Sequence, residues 1–329
     1  ILHYPMDNLV KAGITDIGVI ISPETGAAIQ ESLNKWCPTG ITLTYILQDK
    51  PAGLAHAVKT AQPFIGDSPF VMYLGDNLIE DGIEPLVEAF RVDKPDAHIL
   101  LKQVENPTTF GVAVRDNATG RVTQLVEKPK VPPSNLALVG VYLFQSIIFE
   151  AIDNIKPSPR GELEITDAIQ YLITHGKNVQ ATEMQGWWLD TGKKDDLLAA
   201  NQIVLDSYCQ TRLDGDVVDC QVSGKVEVEV GALVRNSTLK GPLRIASGCL
   251  IENAQIGPHT CVGANSILKN ITVENSVILE RCQLEGLKGR LIDSLIGQGC
   301  KIQLAAESAS PDYRLMLGED NSWLASTVS

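Results

Sequence analysis

Along the first part of the chain, short aliphatic runs alternate with stretches whose apolar residues recur at helical spacing. Residues 1–13 place Ile1, Tyr4, Leu9 and Val10 near one face, and Gly13 supplies a stop, which predicts an amphipathic helix. Residues 17–21, Ile-Gly-Val-Ile-Ile, predict a buried strand. Helix and strand then alternate, with helices over about 25–35, 53–62 and 83–90 and strands over about 41–47, 70–74 and 97–102. That order predicts an α/β domain with a mixed, mostly parallel sheet covered by helices on both faces. Past 110 the pattern turns to strands, over 110–115, 122–127 and 138–144, with a proline-bearing surface loop at 128–133. Helices return at 146–153, 164–175 and from Lys194 to about Leu205.

Beyond about 208 the helical spacing disappears. Leu250, Ile256, Val262 and Leu268 are spaced by six, and a small residue stands four places after each: Ala254, Thr260, Ser266 and Thr272. A six-residue period of this kind predicts a left-handed parallel β-helix of hexapeptide repeats. Each hexad makes one flat side, with the aliphatic inside and the small residue near a corner. A β-sandwich with accidental spacing is the competing reading. The expected organisation is an α/β domain over 1–208, a β-helix over 209–304 and a polar tail over 305–329.

The length of 329 residues agrees with more than one core. The net charge of −13 and pI near 4.8, with no basic stripe, argue against nucleic acid as a partner. No run approaches the ~18 apolar residues of a membrane span, and no signal peptide is visible. Seven cysteines stand at irregular spacing without a Cys-x-x-Cys pair. Reduced, buried thiols in a cytoplasmic protein are expected from that.

Several residues could carry chemistry. Asp76, in Tyr73-Leu74-Gly75-Asp76-Asn77, directly follows a hydrophobic strand. Ligands of open α/β sheets bind at such carboxyl ends, and a carboxylate there suits Mg²⁺. Asp190, in Trp188-Leu189-Asp190-Thr191-Gly192, is a second such carboxylate. The plainer reading of each is a turn or a helix N-cap. Glu127 and Lys128 close a strand; a carboxylate suits sugar hydroxyls and an ammonium suits phosphate, although solvated surface explains them too. Gln48 ends a strand before a loop shaped by Pro51 and Gly53. Its amide suits the edge of a base, and Gly53 permits close backbone approach to a ligand. His56, inside the next helix, reads as structural. Gly111 and Gly140 fall within strands, where glycine signals a bulge or a close ligand. Glu162 and Glu164 are candidate catalytic acids, with the electrostatics of a helix start as the plainer account.

Taken in order, Gln48-x-x-Pro51-x-Gly53-Leu54-Ala55-His56-Ala57, Leu74-Gly75-Asp76-Asn77, Phe110-Gly111-Val112, Val126-Glu127-Lys128-Pro129, Gly161-Glu162-Leu163-Glu164-Ile165-Thr166-Asp167 and Trp187-Trp188-Leu189-Asp190-Thr191-Gly192 closely resemble the sugar nucleotidylyltransferase family. Within it they resemble the glucose-1-phosphate thymidylyltransferases, and the trailing β-helix looks like their long form. The resemblance implies a Rossmann-like nucleotidyltransferase fold. It implies transfer of a nucleotidyl group from a nucleoside triphosphate, dTTP first, to glucose 1-phosphate with release of pyrophosphate. Asp76 and Asp190 would hold Mg²⁺ as the cofactor, Gln48 and Gly53 would read the base, and Gly111 and Glu127 would bind the sugar. Lys128 would bind the sugar phosphate. Pro51, Leu54, Gly140 and Tyr142 complete the implied substrate-binding set. The family opens with a strand and a Gly-Gly-x-Gly-Thr-Arg loop that this sequence does not contain, and residues 1–13 match the helix after it. An open central edge in the sheet is therefore expected. Uridylyl transfer is the nearest alternative. A β-helix acyltransferase using His259 as base is another, and a non-catalytic scaffold a third. The β-helix also leads to an expectation of homo-oligomers.

Overall fold

In the computed structural model, residues 1–116, 118–192, 194–287, 289–304 and 312–325 are described. They form two compact units, Ile1–Asp190 and Thr191–Ser329. In the first, α1 (His3–Lys11) buries Pro5, Met6 and Leu9, and Gly13 beyond it takes the left-handed backbone of a helix stop. β1 (Asp16–Ile21) pairs in parallel with β2 (Thr42–Leu47), joined by α2 (Gly26–Trp36). After α3 (Leu54–Thr60) and a short α4 (Gln62–Ile65) comes β3 (Phe70–Tyr73), then β4 (Asn77–Ile79). α5 (Glu84–Asp93) leads into β5 (Ala97–Gln103). β6 (Gly111–Arg115), β7 (Val122–Glu127) and β8 (Leu136–Phe144) follow without a helix between them. α6 (Ile147–Asp153), α7 (Ile165–Thr174), β9 (Val179–Glu183) and β10 (Trp188–Asp190) complete the unit.

The main sheet has the order β7-β6-β8-β5-β9, with β3 also paired to β8. β3 and β5 each run antiparallel to β8 and so share a direction, which β9 keeps by pairing in parallel with β5. The sheet is therefore mixed, as expected. β8 shows why its sequence is a continuous apolar run. Leu138, Tyr142 and Phe144 pack with Ile148 and Ile169 on one face. Val139, Val141 and Leu143 pack with Met6, Leu33 and Phe90 on the other. A strand buried on both faces has no polar alternation to show. The open edge is there too. Among the described residues β1 pairs only with β2 and β3 only with β8, and both strands line a cavity of about 520 Å³.

The second unit joins α8 (Lys194–Tyr208) to three parallel sheets of seven, seven and six short strands, stacked as a β-helix. Each inward column steps once per coil: Val234, Ile251, Leu268, Leu284 and Ile302 on one side, and Leu239, Ile256, Val273, Leu291 and Tyr313 on another. The corners take left-handed backbone, at Asn236, Asn253 and Asn270 along one of them. Asparagine tolerates that region better than most side chains, which accounts for the recurring Asn of this part of the sequence.

Three expectations are corrected here. Ile256, Val262 and Leu268 point inward as expected, but Leu250 is only half-buried and Ile251 is the interior residue. The coils advance by sixteen to twenty-two residues rather than a constant number, as the register shows, so a strict six-residue phase drifts. The boundary expected at 208 lies at the end of α8, whereas the units divide after Asp190. The reason is that α8 is bonded to the β-helix: Asn201 Nδ2 donates to the His259 carbonyl at 2.8 Å and Gln202 Nε2 to Asn275 Oδ1 at 2.7 Å. Finally, the region expected as a tail carries strands Asp312–Tyr313, Met316–Leu317 and Ser322–Ala325, which continue the three sheets. Tyr313 is buried at the end of an inward column, so these residues extend the core. Residues 305–311 lie outside the described set.

The corrected phase has a direct test. Ile251→Ala should destabilise the β-helix by about 2–5 kcal/mol in urea unfolding, and Leu250→Ala by clearly less. Equal losses at the two positions would contradict the inward assignment.

Candidate active site

The site is organised around one buried amide. Asn77 opens β4 and is 2% exposed. Its Oδ1 accepts from the Gly140 N–H at 3.0 Å and from Trp188 Nε1 at 2.7 Å, and its Nδ2 donates to Asp76 Oδ1 at 2.9 Å. One side chain thus ties the loop bearing Asp76 to β8 and to β10. Gly140 is glycine for a packing reason: a Cβ there would lie 2.6 Å from the Asn77 carboxamide carbon. β4 pairs antiparallel with β10, with Asp190 opposite Asn77. Asp76 and Asp190 therefore come to adjacent positions, both exposed. Asp76 leads into β4 and Asp190 ends β10. β10 is itself clamped. Lys102 Nζ donates to the Gln185 and Gly186 carbonyls, each at 2.8 Å, and Glu80 accepts from the Trp187 N–H at 3.0 Å.

A second cluster forms at the ends of β6 and β7. Gly111 pairs with Glu127, and a Cβ on it would meet Glu127 Oε2 at 3.1 Å and the Thr166 methyl at 2.7 Å. Thr166 Oγ1 donates to Glu127 Oε2 at 3.1 Å. Lys128 takes a left-handed φ of +41° and places Nζ 4.0 Å from Glu127 Oε1. Arg160, directly ahead of the Gly161–Asp167 motif, lies 3.6 Å from the same Oε1. It is held by Glu164, through contacts of 3.0 Å to both carboxylate oxygens, and by Glu162 at 3.3 Å. Glu164 is buried and takes a further bond from Ser158 Oγ at 2.6 Å. That geometry makes Glu164 the support of Arg160. The signal that could have found Arg160 is its spacing, four residues ahead of a buried acid.

Burial pushes the Glu127 carboxyl above its ordinary value, with the neighbouring Glu164 adding to the rise and Thr166, Lys128 and Arg160 opposing it. Tyr142 on β8 is wholly enclosed, and burial raises its hydroxyl pKa, with smaller additions from the Glu127 and Asp190 charges. Its hydroxyl thus lies within the fields of both clusters.

The third element is the loop ahead of α3. Gly53 holds φ at +100°, and a Cβ there would strike the Leu163 carbonyl at 2.5 Å. The close approach that this glycine permits in the structure is thus to the chain's own backbone. Leu163 N donates to Ala52 O at 2.8 Å and Ala55 N to Leu163 O at 3.0 Å, which stitches the loop to the Arg160–Glu164 segment. Pro51 is exposed at its tip. Gln48 and Leu54 line the 520 Å³ cavity, which reaches Gly75 beside Asp76. Gln48 Nε2 lies 2.9 Å from His56 Nδ1.

Asp76 and Asp190 offer hard oxygen donors, fitting a Mg²⁺ ion that keeps waters and substrate phosphates as its other ligands. Among the described residues no cluster of three or more His, Cys, Asp or Glu could hold a metal by itself. All seven cysteines are free thiols, and among the described residues no helix is long and apolar enough to cross a membrane.

The family model for nucleotidyl transferases matches residues 1–207. The chain belongs to that family. It is 43% identical to the low-salt glycan biosynthesis nucleotidyltransferase Agl11 of Haloferax volcanii over 98% of this chain and 90% of the relative. It is 41% identical to a glucose-1-phosphate thymidylyltransferase of Streptomyces griseus over 97% of this chain and 89% of the relative. A solved Bacillus anthracis protein described as a glucose-1-phosphate thymidylyltransferase superposes with a TM-score of 0.57 at 38% identity, covering 61% of this chain and 81% of that one. As a nucleotidyl transferase, the chain has its β-helix as a second unit, and His259 there is engaged structurally. Its Nε2 lies 3.0 Å from Asp206 Oδ1 and its carbonyl takes the Asn201 bond, both from α8.

Two outcomes follow for this site. Asn77→Ala leaves the Gly140 N–H and the Trp188 indole N–H without their acceptor, and each lost partner costs about 1–3 kcal/mol. The variant should unfold at clearly lower urea concentration and lose activity even at saturating substrate; wild-type values for both would refute the clamp. Glu127 gives a pH signature. A raised carboxyl pKa means the folded state holds that proton more tightly than the unfolded one. The resulting stability is present below the ordinary value of 4.5 and is lost as pH rises through the folded value. Glu127→Gln removes the loss, so the variant should gain stability relative to wild type as pH rises from below the ordinary carboxylate value of 4.5 through the raised folded value. A difference that stays flat or falls across that range would show that ionised Glu127 is not strained.

Proposed function

We propose that this nucleotidyltransferase joins the nucleotidyl group of a nucleoside triphosphate, dTTP by preference, to glucose 1-phosphate. The observation that carries the reading is the β4–β10 pair, which sets Asp190 opposite Asn77 and so beside Asp76, the residue that follows Gly75 on the wall of the cavity that Gln48 lines. Two carboxylates from distant parts of the sequence meeting at a strand end suit the phosphates of a nucleotide with its cation. Glu127 then takes sugar hydroxyls, since a carboxylate accepts two hydrogen bonds. Lys128 and Arg160, flanking Glu127, hold the sugar phosphate.

The reaction is a displacement at phosphorus. An oxygen of the sugar phosphate forms a new bond to the α-phosphorus of the triphosphate, the bond from that phosphorus to the bridging oxygen breaks, and pyrophosphate leaves with the electron pair. No covalent enzyme intermediate is needed. The protein contributes alignment of the two phosphates and offsets their mutual repulsion. Mg²⁺ held by Asp76 and Asp190 would supply the remaining neutralisation of charge. Arg160 and Lys128 keep the attacking phosphate in place, and Glu164 holds the Arg160 guanidinium so that it need not reorganise. A uridylyl preference is the nearer alternative, because uracil differs from thymine only by a methyl group.

Pyrophosphate release by the full-length protein decides between these readings. With Mg²⁺ and glucose 1-phosphate, dTTP should be the fastest donor. Asp76→Asn and Asp190→Asn should each lower kcat by about 10²-fold or more. Fastest release with UTP would move the base specificity and keep the reaction. Absence of release with every triphosphate would remove glucose 1-phosphate as the acceptor.

A further inference from the structure

One contact between two half-buried side chains bears on which base the site takes. Gln48 follows β2, where its backbone N–H is bonded to Ile21 O at 2.9 Å, so its position is fixed by the β1–β2 pair. His56 lies in the first turn of α3. The Gln48 amide nitrogen and the His56 Nδ1 are 2.9 Å apart. We propose that His56 is a positioning residue: it fixes which way round the Gln48 amide faces, and so admits keto pyrimidines while rejecting cytosine. The inference rests on the reading above, in which Gln48 meets the base and dTTP is the donor.

The chemistry is a matter of donors and acceptors. With the Gln48 amide nitrogen facing the ring, His56 Nδ1 is the acceptor and the ring carries its proton on Nε2, the tautomer this proposal requires. One amide hydrogen is occupied there. The other lies beside Oε1, and the two form a donor–acceptor edge. Thymine and uracil offer O4 beside N3–H, an acceptor next to a donor. Cytosine offers N4–H beside N3, which is the reverse order. An amide free to turn about its last bond can meet either base. An amide held by His56 can meet one order only, for a base in a given pose. His56 also contributes its carbonyl to Thr60 Oγ1 at 2.8 Å, but that bond belongs to the helix backbone and survives a change of side chain.

Three substitutions separate this role from simple packing. His56→Leu has no acceptor and releases the amide. His56→Glu can only accept and keeps the orientation. His56→Lys can only donate and turns the amide over. The measurement is the ratio of kcat/KM for dTTP to that for dCTP, with glucose 1-phosphate and Mg²⁺. Wild type should favour dTTP, and His56→Leu should lower the ratio by about tenfold or more. His56→Glu should keep it and His56→Lys should give the lowest value. The ratio of dTTP to dUTP should stay constant throughout, since both bases present the same edge. If His56→Leu does not fold, the Glu and Lys variants still decide. A His56→Leu ratio within about twofold of wild type, or equal losses in the Leu and Glu variants, would overturn the proposal. Wild type using dCTP as readily as dTTP would overturn it while leaving nucleotidyl transfer standing. No turnover with any triphosphate would bring down both.

Discussion

The carboxamide of Asn77 is the interaction on which the first unit's site depends. It is buried where an unsatisfied amide would be costly, and all three of its hydrogen bonds reach different elements. Through it the loop with Asp76, the glycine of β8 and the indole of β10 are set in one geometry. Removing the side chain of residue 140 is part of the same arrangement, because the amide occupies the space where a Cβ would be. Asp76 on its loop and Asp190 at the end of β10 are thus tied to one junction of strands.

A backbone clamp joins the other two parts of the site. The loop with Pro51 and Gly53 and the segment carrying Arg160 and Glu164 exchange two hydrogen bonds through Leu163. The two segments are therefore one mechanical piece. The cation cluster is built the same way. Arg160 sits among three carboxylates, of which the buried Glu164 makes the closest contacts, leaving Glu127 at longer range and strained when ionised. A carboxylate in that state gains from hydrogen-bond donors supplied by a ligand.

The second unit obeys a different constraint. Parallel strands three residues long have little pairing energy alone, and the coil works because every coil buries the same columns. Corners that need left-handed backbone recur at each turn, and Asn, Gly and Asp fill most of them. Where the coil length varies, the column is kept and the period is given up.

The sequence by itself determined the element types of the first unit, the parallel core strands, the β-helix and the identity of the two Asp, the Glu–Lys pair and the Gln as candidates. Those signals are local: hydrophobic period, turn chemistry and motif spacing all act over a few residues. Tertiary structure alone decided what required distant partners. The strands at 77–79 and 188–190 are too short to carry a pattern, yet their pairing brings Asp190 beside Asp76. Arg160 joined the site because Glu164 is buried beneath it, and Glu164 in turn looked like an ordinary helix-start acid. Ile251 replaced Leu250 in the core because the coil register is set by neighbouring coils rather than by a fixed spacing. Pairing across long separations and burial of charge are properties of the folded chain, and no window of sequence contains them.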